Sequence, residues 1–251
     1  MCRMKKLRLA NVLSLVCNLS IVYFTIDAVW YSFRTDVIRD PKWFGYTGIH
    51  SLRFFTVLSN IFVAIIAILF VIKTIKNLIE DKYEFPHWMI VLKQIATAGV
   101  ALTFATVVTM LAPASAITGK GYFSMFEHNN LFMHLLTPIL AIVSFVFFER
   151  EKPLRIRESF WFLIPVIIYS IVYTIMVVFI GEANGGWKDF YNFTLHGKMW
   201  LAPLAAVGML GFAFLVSWLL VFCHNKWQKR QERKLAEETS ALNEPDSENN
   251  Q

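Results

Sequence analysis

Charged residues are scarce in this chain, at 17% of 251 residues, whereas hydrophobic residues make up 56%. The mean hydropathy of +0.50 is correspondingly high. Soluble globular domains usually have about a quarter of their residues charged, because their surfaces face water. The shortage of charge therefore argues against a soluble fold and favours a polytopic membrane protein.

Cysteine and glycine are also too few, or wrongly spaced, for several kinds of site. The three cysteines, Cys2, Cys17 and Cys223, form no CxxC pair, which argues against a metal centre and a disulfide framework. The 11 glycines form no nucleotide-binding pattern, and the chain has no internal repeat. We therefore expect no metal and no cofactor.

The net charge of +6 would suggest a nucleic-acid partner for a soluble chain. Here the basic residues lie in short clusters between apolar runs, where membrane topology explains them better. We therefore expect no nucleic-acid partner, and membrane lipids as the surroundings of the chain.

Six apolar runs are long enough to cross a hydrocarbon core about 30 Å thick. The first extends from Leu9 to about Phe33, which is too long for a signal peptide, and Val16 is too large for a lipoprotein cleavage site. The others cover approximately residues 52–75, 87–111, 129–149, 158–180 and 199–223. None shows the alternation of a barrel strand. We therefore predict an all-α, six-helix transmembrane bundle over residues 1–227.

Lys and Arg are distributed unevenly between the two ends of this bundle. Sixteen of the 24 lie at the end that holds both chain termini, seven lie at the other end, and Lys93 falls inside the third predicted helix. The positive-inside rule therefore predicts cytoplasmic termini, with the plasma membrane as the expected location. Residues 228–251 are polar and end in an acidic stretch, which predicts a disordered tail with a short helical start.

The second predicted helix begins with polar residues that a membrane segment normally avoids. Arg53, Thr56 and Asn60 share one helical face, and Ser59 lies beside them. Such a face needs polar partners from other helices.

Partners are available at the same depth. His134 lies about five residues inside the fourth predicted helix, and Asn130 lies one turn before it. Thr56 lies roughly 6 Å inside the second helix at 1.5 Å per residue, and Asp27 is a similar distance from the end of the first. An ionisable residue inside a membrane segment indicates a functional site, because its burial is costly.

A threonine and a histidine at one depth can form a nucleophile and its base. A threonine hydroxyl is a weak nucleophile until a neutral imidazole accepts its proton. Thr56 and His134 are the candidates for these roles, and Asp27 is a candidate for orienting the imidazole.

Other polar residues in the outer half of the bundle are candidates for binding the substrate or its oxyanion. Tyr169 and Tyr173 lie one turn apart in the fifth predicted helix. The remaining candidates are Arg53, Ser59, Asn60 and Asn130.

Each of these residues also has a purely structural explanation. An intramembrane threonine usually donates to the carbonyl three or four residues back, Ser and Asn hold helices together, and Arg extends to the interface. Asp27 is a candidate ion-pair partner of Arg53, and His134 a candidate packing residue. Exposure is expected for the histidines at helix ends and in loops, His50, His87, His128 and His224.

Three segments of the sequence resemble a known membrane family. These are the Phe54–Asn60 stretch FFTVLSN, the Asn130–Pro138 stretch NLFMHLLTP, and Pro165–Tyr169 with Tyr173 and Gly181 after it. The chain is similar, from its first helix to its sixth, to the six-helix superfamily of androgen-induced and androgen-dependent membrane hydrolases. Within it, the chain is most similar to the uncharacterised bacterial branch.

This resemblance implies an activity. The animal members hydrolyse fatty acid esters of hydroxy fatty acids with an intramembrane threonine nucleophile and a histidine, and these residues match Thr56 and His134. The expected substrate is therefore an acyl ester that enters from the lipid. The alternative is a transporter, channel or receptor in which the same polar residues bind a ligand or relay protons. A scaffold that uses them only for packing is a third possibility.

Overall fold

The computed structural model describes residues 2–34, 48–82, 84–149, 153–194 and 199–243, and no strand occurs among them. Six helices in this part of the chain are long and apolar enough to cross a membrane, which confirms the predicted helical architecture. They are α1 (Cys2–Phe33), α2 (Phe55–Ile79), α3 (His87–Ile117), α4 (Asn129–Phe148), α5 (Ile156–Ile180) and α6 (Ala202–Asn243).

Successive helices run in opposite directions. At one end of the bundle, Asn225 of α6 bonds both the backbone N–H and the carbonyl of Leu154, at 2.9 and 2.7 Å. We call this the basic end, because the Lys- and Arg-rich segments lie there. At the opposite end, Asn129 at the start of α4 donates to Ser32 Oγ at the end of α1, at 3.1 Å. At each end of the bundle, a side-chain amide therefore links two segments that are distant in sequence.

Helix α3 lies at the centre of the bundle, in contact with α2, α4, α6 and the start of α5. Its apolar residues join a continuous core that includes Phe70, Ile90, Phe145 and Phe162, all of them almost fully buried. Many large apolar side chains of the other helices, such as Ile72 and Ile168, are exposed. An apolar exterior around a packed interior is what a lipid environment favours.

A buried ion pair lies near the basic end, where the sequence analysis assigned no site. Lys93 Nζ lies 3.3 Å from Glu149 Oε1 and donates to Asn18 Oδ1, and neither charged side chain is exposed. The same carboxylate oxygen accepts hydrogen bonds from Asn18 Nδ2, at 2.9 Å, and from Ser144 Oγ. The pair thus joins α1, α3 and the end of α4.

His224 is fully buried, so the expectation that it is exposed was wrong. Helix α4 ends in a π-helical turn, and the last carbonyls of a helix have no partner within the helix. Three side chains of α6 donate to these carbonyls at 2.8 to 3.2 Å. The pairs are His224 with Phe145, Trp227 with Phe147, and Gln228 with Glu149. Burial of His224 therefore follows from its role as a cap for a neighbouring helix.

Helix α6 continues to Asn243, well beyond the short helical start predicted for residues 228–251. Side chains after Gln228, such as Lys229, Arg230 and Lys234, are exposed. The segment is rich in Lys, Arg, Glu, Ala and Leu, which have high helix propensity and explain the continuation. Residues 244–251 lie outside the described residues.

The buried ion pair predicts a large asymmetry between single and double substitutions. Lys93→Met should destabilise the protein by roughly 3–5 kcal/mol, because it leaves the Glu149 carboxylate buried and unpaired. The double variant Lys93→Met/Glu149→Gln should regain much of that loss. Thermal unfolding in detergent measures both. The control is Lys76→Met. It removes an exposed ion pair, in which Lys76 Nζ lies 3.7 Å from Glu80 Oε1, and should have little effect on stability. Equal stability of Lys93→Met and Lys76→Met would contradict the prediction.

Candidate functional site

Thr56 is the second residue of α2, which begins at Phe55 after an extended Phe54. A 3₁₀ turn, Gly48–Arg53, precedes it, so no α-helical turn lies behind Thr56 to accept its hydroxyl. The Thr56 hydroxyl makes no hydrogen bond with any residue that the structure describes. The usual structural role of an intramembrane threonine is therefore not observed here.

Ser59 and Asn60 both bond the backbone of Thr56. Ser59 Oγ and Asn60 Nδ2 donate to the Thr56 carbonyl, at 3.0 and 2.8 Å. Asn60 Nδ2 also donates to the Met133 carbonyl of α4, at 3.3 Å. Both amide hydrogens of Asn60 are therefore in use, which leaves none to donate to an oxyanion as the sequence analysis suggested.

Pro138 explains why the Met133 carbonyl is free to accept from α2. Met133 lies in a π-helical turn, Phe132–Leu136, in which a carbonyl bonds the N–H five residues later. For Met133 that residue is Pro138, which has no N–H. Asn60 supplies the missing donor. A proline in the sequence thus creates the contact that holds α2 against α4 beside Thr56.

His134 lies in the same π-helical turn and is half-buried. Its Nδ1 lies 2.8 Å from the Met125 carbonyl. Because a carbonyl can only accept, Nδ1 carries the hydrogen, and in the neutral imidazole the lone pair is therefore on Nε2. This is the tautomer that a base acting through Nε2 requires. Nε2 has no hydrogen-bond partner in the described part of the chain.

The structure brings the two segments together without joining the two side chains directly. Val57 and Met133, the neighbours of Thr56 and His134 in sequence, pack in one apolar cluster with Ala28. No hydrogen bond connects Thr56 to His134, although both are described. The arrangement holds the two residues on adjacent helices with their reactive atoms unpaired.

Asp27 is not placed to orient the imidazole. The Asp27 side chain is exposed on α1, and it forms no ion pair with Arg53 or any other described residue. The imidazole Nδ1 already bonds the Met125 carbonyl. The reason is the rotation of α1, which turns the neighbouring Ala28 into the core instead.

Asn130 is half-buried, and its side chain makes no hydrogen bond with the described residues. The adjacent Asn129 is the one that is buried and that links α4 to α1. Asn130 was the candidate from the sequence, whereas Asn129 is the asparagine that holds this segment of α4 against α1.

The two candidate tyrosines use their hydroxyls to anchor loops at the opposite end. Tyr169 donates to the Arg53 carbonyl at 2.7 Å, and Tyr173 donates to Asp189 at 2.9 Å. The guanidinium of Arg53 lies 5.9 Å from the ring centre of Trp187, a cation–π distance. The two contacts of Arg53, with Tyr169 and with Trp187, fix the turn that leads into α2 and Thr56.

Asp189, which the sequence analysis did not select, organises the loop after α5. Its carboxylate accepts from the N–H groups of Phe193 and Thr194 and from the Thr194 hydroxyl, at 2.6 to 2.8 Å. Burial opposes ionisation, but the hydrogen bonds from Thr194, Phe193 and Tyr173 outweigh it and hold the pKa of Asp189 below its usual value. Asp is favoured in loops because its carboxylate accepts from nearby backbone N–H groups, and this was the available sequence signal.

An apolar groove of about 430 Å³ lies between α2, α3 and α5. Phe55 and Ser59, on either side of Thr56 in sequence, line it together with Tyr169 and Trp187. Gly99 forms part of its wall, where an added Cβ would lie 3.2 Å from Ser59 Cβ. Thr56 and His134 do not line the groove, which reaches the candidate site only through Phe55 and Ser59, close to Thr56 in sequence.

The contacts of Asp189 predict a defined pH dependence. Because its folded-state pKa is lowered, its stabilisation is fully present above the ordinary value of about 3.9 and is lost as the pH falls through the folded value. Asp189→Asn should lower the melting temperature at neutral pH. The difference from wild type should stay constant between about pH 8 and pH 5 and shrink below about pH 4. Scanning fluorimetry in detergent measures it, and equal melting temperatures at pH 7 would contradict it.

Comparison with known protein families, with curated proteins and with solved structures finds no match to this chain. The described residues contain no group of three His, Cys, Asp or Glu side chains able to hold a metal. The resemblance to the androgen-induced and androgen-dependent hydrolases therefore stays a prediction that rests on the residues themselves.

Proposed function

We propose that this protein is an intramembrane hydrolase that cleaves a lipid acyl ester, of the kind in which a fatty acid esterifies a hydroxy fatty acid. Thr56 is the nucleophile and His134 the general base. The observation that carries the proposal is the hydrogen bond from His134 Nδ1 to the Met125 carbonyl, which leaves the Nε2 lone pair to accept a proton. The unbonded hydroxyl of Thr56, on the adjacent helix, is the matching donor.

In the first half of the reaction, Nε2 takes the proton of the Thr56 hydroxyl as Oγ1 attacks the ester carbonyl. The tetrahedral intermediate then collapses, and the imidazolium returns the proton to the leaving alkoxide. The products of this half are the free alcohol and an acyl-threonine ester. Since Thr is β-branched, its χ1 is restricted, and the hydroxyl needs little further ordering.

In the second half, Nε2 takes a proton from water as the hydroxide attacks the acyl-threonine. Collapse releases the carboxylic acid and returns the proton to Thr56 Oγ1. The oxyanion of both intermediates forms at the first turn of α2, at the positive end of the helix dipole. Ser59 and Asn60 hold this turn through the Thr56 carbonyl.

We further propose that the six helices span the membrane with both termini in the cytoplasm and the candidate site in the outer half. The Lys and Arg asymmetry supports this orientation. In this orientation the apolar groove lined by Phe55 and Ser59, close to Thr56 in sequence, is the proposed route by which an acyl chain enters laterally from lipid.

The orientation is tested with single cysteines in a variant without Cys2, Cys17 and Cys223. Ala116→Cys and Ala183→Cys are exposed at the opposite end, and Glu232→Cys is exposed beyond the basic end. An impermeant thiol reagent applied to intact cells should label the first two and spare the third. The reverse pattern would overturn the orientation. Equal labelling after membrane disruption is the control that each cysteine is accessible.

The catalytic assignment is tested with a fluorophosphonate probe, whose fluoride Thr56 Oγ1 would displace from phosphorus. Wild type should be labelled, Thr56→Ala should not, and Thr56→Ser should keep labelling because it retains the hydroxyl. His134→Ala should lower the labelling rate on the order of 10²- to 10⁴-fold, which is the usual contribution of a general base. Mass spectrometry of the labelled peptide locates the adduct.

Folded Thr56→Ala protein that still reacts would remove Thr56 as the nucleophile. Wild-type protein that does not react would favour the alternative, in which these polar residues bind a ligand or relay protons in a transporter, channel or receptor. Ser170→Ala is the matched control, because its hydroxyl is half-buried in α5 and bonds only its own helix.

A further inference from the structure

The orientation of His134 depends on a short segment between α3 and α4. Met125, whose carbonyl accepts from Nδ1, lies in the 3₁₀ turn Tyr122–Phe126. A backbone carbonyl cannot be moved independently of its turn. Whatever holds this turn therefore also sets the position and the tautomer of the imidazole.

Two side-chain contacts hold the turn against the end of α3. Ser124 Oγ lies 2.7 Å from Ser115 Oγ, and the Tyr122 hydroxyl donates to the Val108 carbonyl at 3.2 Å. Val108 lies in a π-helical turn of α3, Val107–Leu111. Both contacts fix the turn from the same helix.

The direction of the serine contact follows from its hydrogens. Ser124 donates its only hydroxyl hydrogen to the Gly121 carbonyl, at 2.7 Å. Ser115 is therefore the donor to Ser124. Ser115 is buried, which shields this bond from competition with water. The result is a chain of hydrogen bonds from α3 through Ser115 and Ser124 to the backbone of the turn.

We propose that Ser124 is a positioning residue for His134, acting through the Met125 carbonyl. The Met125 carbonyl, held in place by Ser124, is the fixed acceptor for Nδ1, the role that a charged aspartate has in serine hydrolases. The inference rests on the proposed function, since it concerns the base of that same site. It predicts that loosening the turn changes which imidazole nitrogen carries the hydrogen.

The test uses selective ¹⁵N labelling of histidine in the full-length protein, with the His134 signals assigned from their absence in His134→Gln. Wild type should show a protonated Nδ1 and an unprotonated Nε2. Ser124→Ala should add a population with the hydrogen on Nε2, whereas Ser124→Thr, which keeps the hydroxyl, should resemble wild type. Ser115→Ala should act in the same direction as Ser124→Ala but less strongly, because it removes only the bond between the two serines and leaves the bond from Ser124 to Gly121. The double variant should add little to Ser124→Ala, which already removes both bonds.

The kinetic readout is the rate of fluorophosphonate labelling at saturating probe. Ser124→Ala should lower this rate roughly tenfold to a hundredfold, less than the loss of the base itself, with unchanged probe affinity. Ser170→Ala should change neither readout. An unchanged tautomer ratio in Ser124→Ala would overturn the inference even if Thr56 is the nucleophile. If the wild type is not labelled but Ser124→Ala still shows the tautomer shift, the proposed function is overturned and the positioning role of Ser124 is intact.

Discussion

The hydrogen bond from Asn60 to the Met133 carbonyl is the contact on which the candidate site depends. It exists because Pro138 has no N–H to offer a carbonyl in the π-helical register. In a membrane, an unpaired carbonyl costs more than in water, so the helices gain by approaching until Asn60 reaches it. The same amide holds the Thr56 carbonyl. One side chain therefore fixes the first turn of α2 and its distance from α4.

Six helices were predictable from the sequence because hydropathy over about 20 residues is a local property. The surroundings of single residues depend on helix rotation and on contacts between distant segments, which are not local. Asp27 and Ala28 are adjacent, yet one is exposed and the other buried. His224 looked like an exposed residue at a helix end, and it is buried because α4 needs a cap from another helix.

Thr56 and His134 were identifiable as candidates because polar side chains in apolar runs stand out. The partner that orients His134 was not, since any residue has a backbone carbonyl and Met125 carries no polar side chain. Asp27 was the candidate for the orienting role because a carboxylate is the familiar partner of a catalytic histidine. Asn60 was likewise a candidate for binding the oxyanion, but it uses both amide hydrogens on carbonyls, a result that depends on the π-helical turn of α4.

His134 and His224 provide an internal comparison for the proposed base. In each, Nδ1 lies 2.8 Å from a backbone carbonyl oxygen. The two neutral rings therefore have the same tautomer, with the lone pair on Nε2. His224 Nε2 is buried without a partner in the described part of the chain, on a ring stacked against Phe145, which leaves no room for a reacting group. His134 is only half-buried, and the adjacent helix carries an unbonded hydroxyl. Tautomer alone therefore does not distinguish the proposed base from a structural histidine. Access and a polar hydroxyl on the adjacent helix do distinguish them, and of these two histidines only His134 has both.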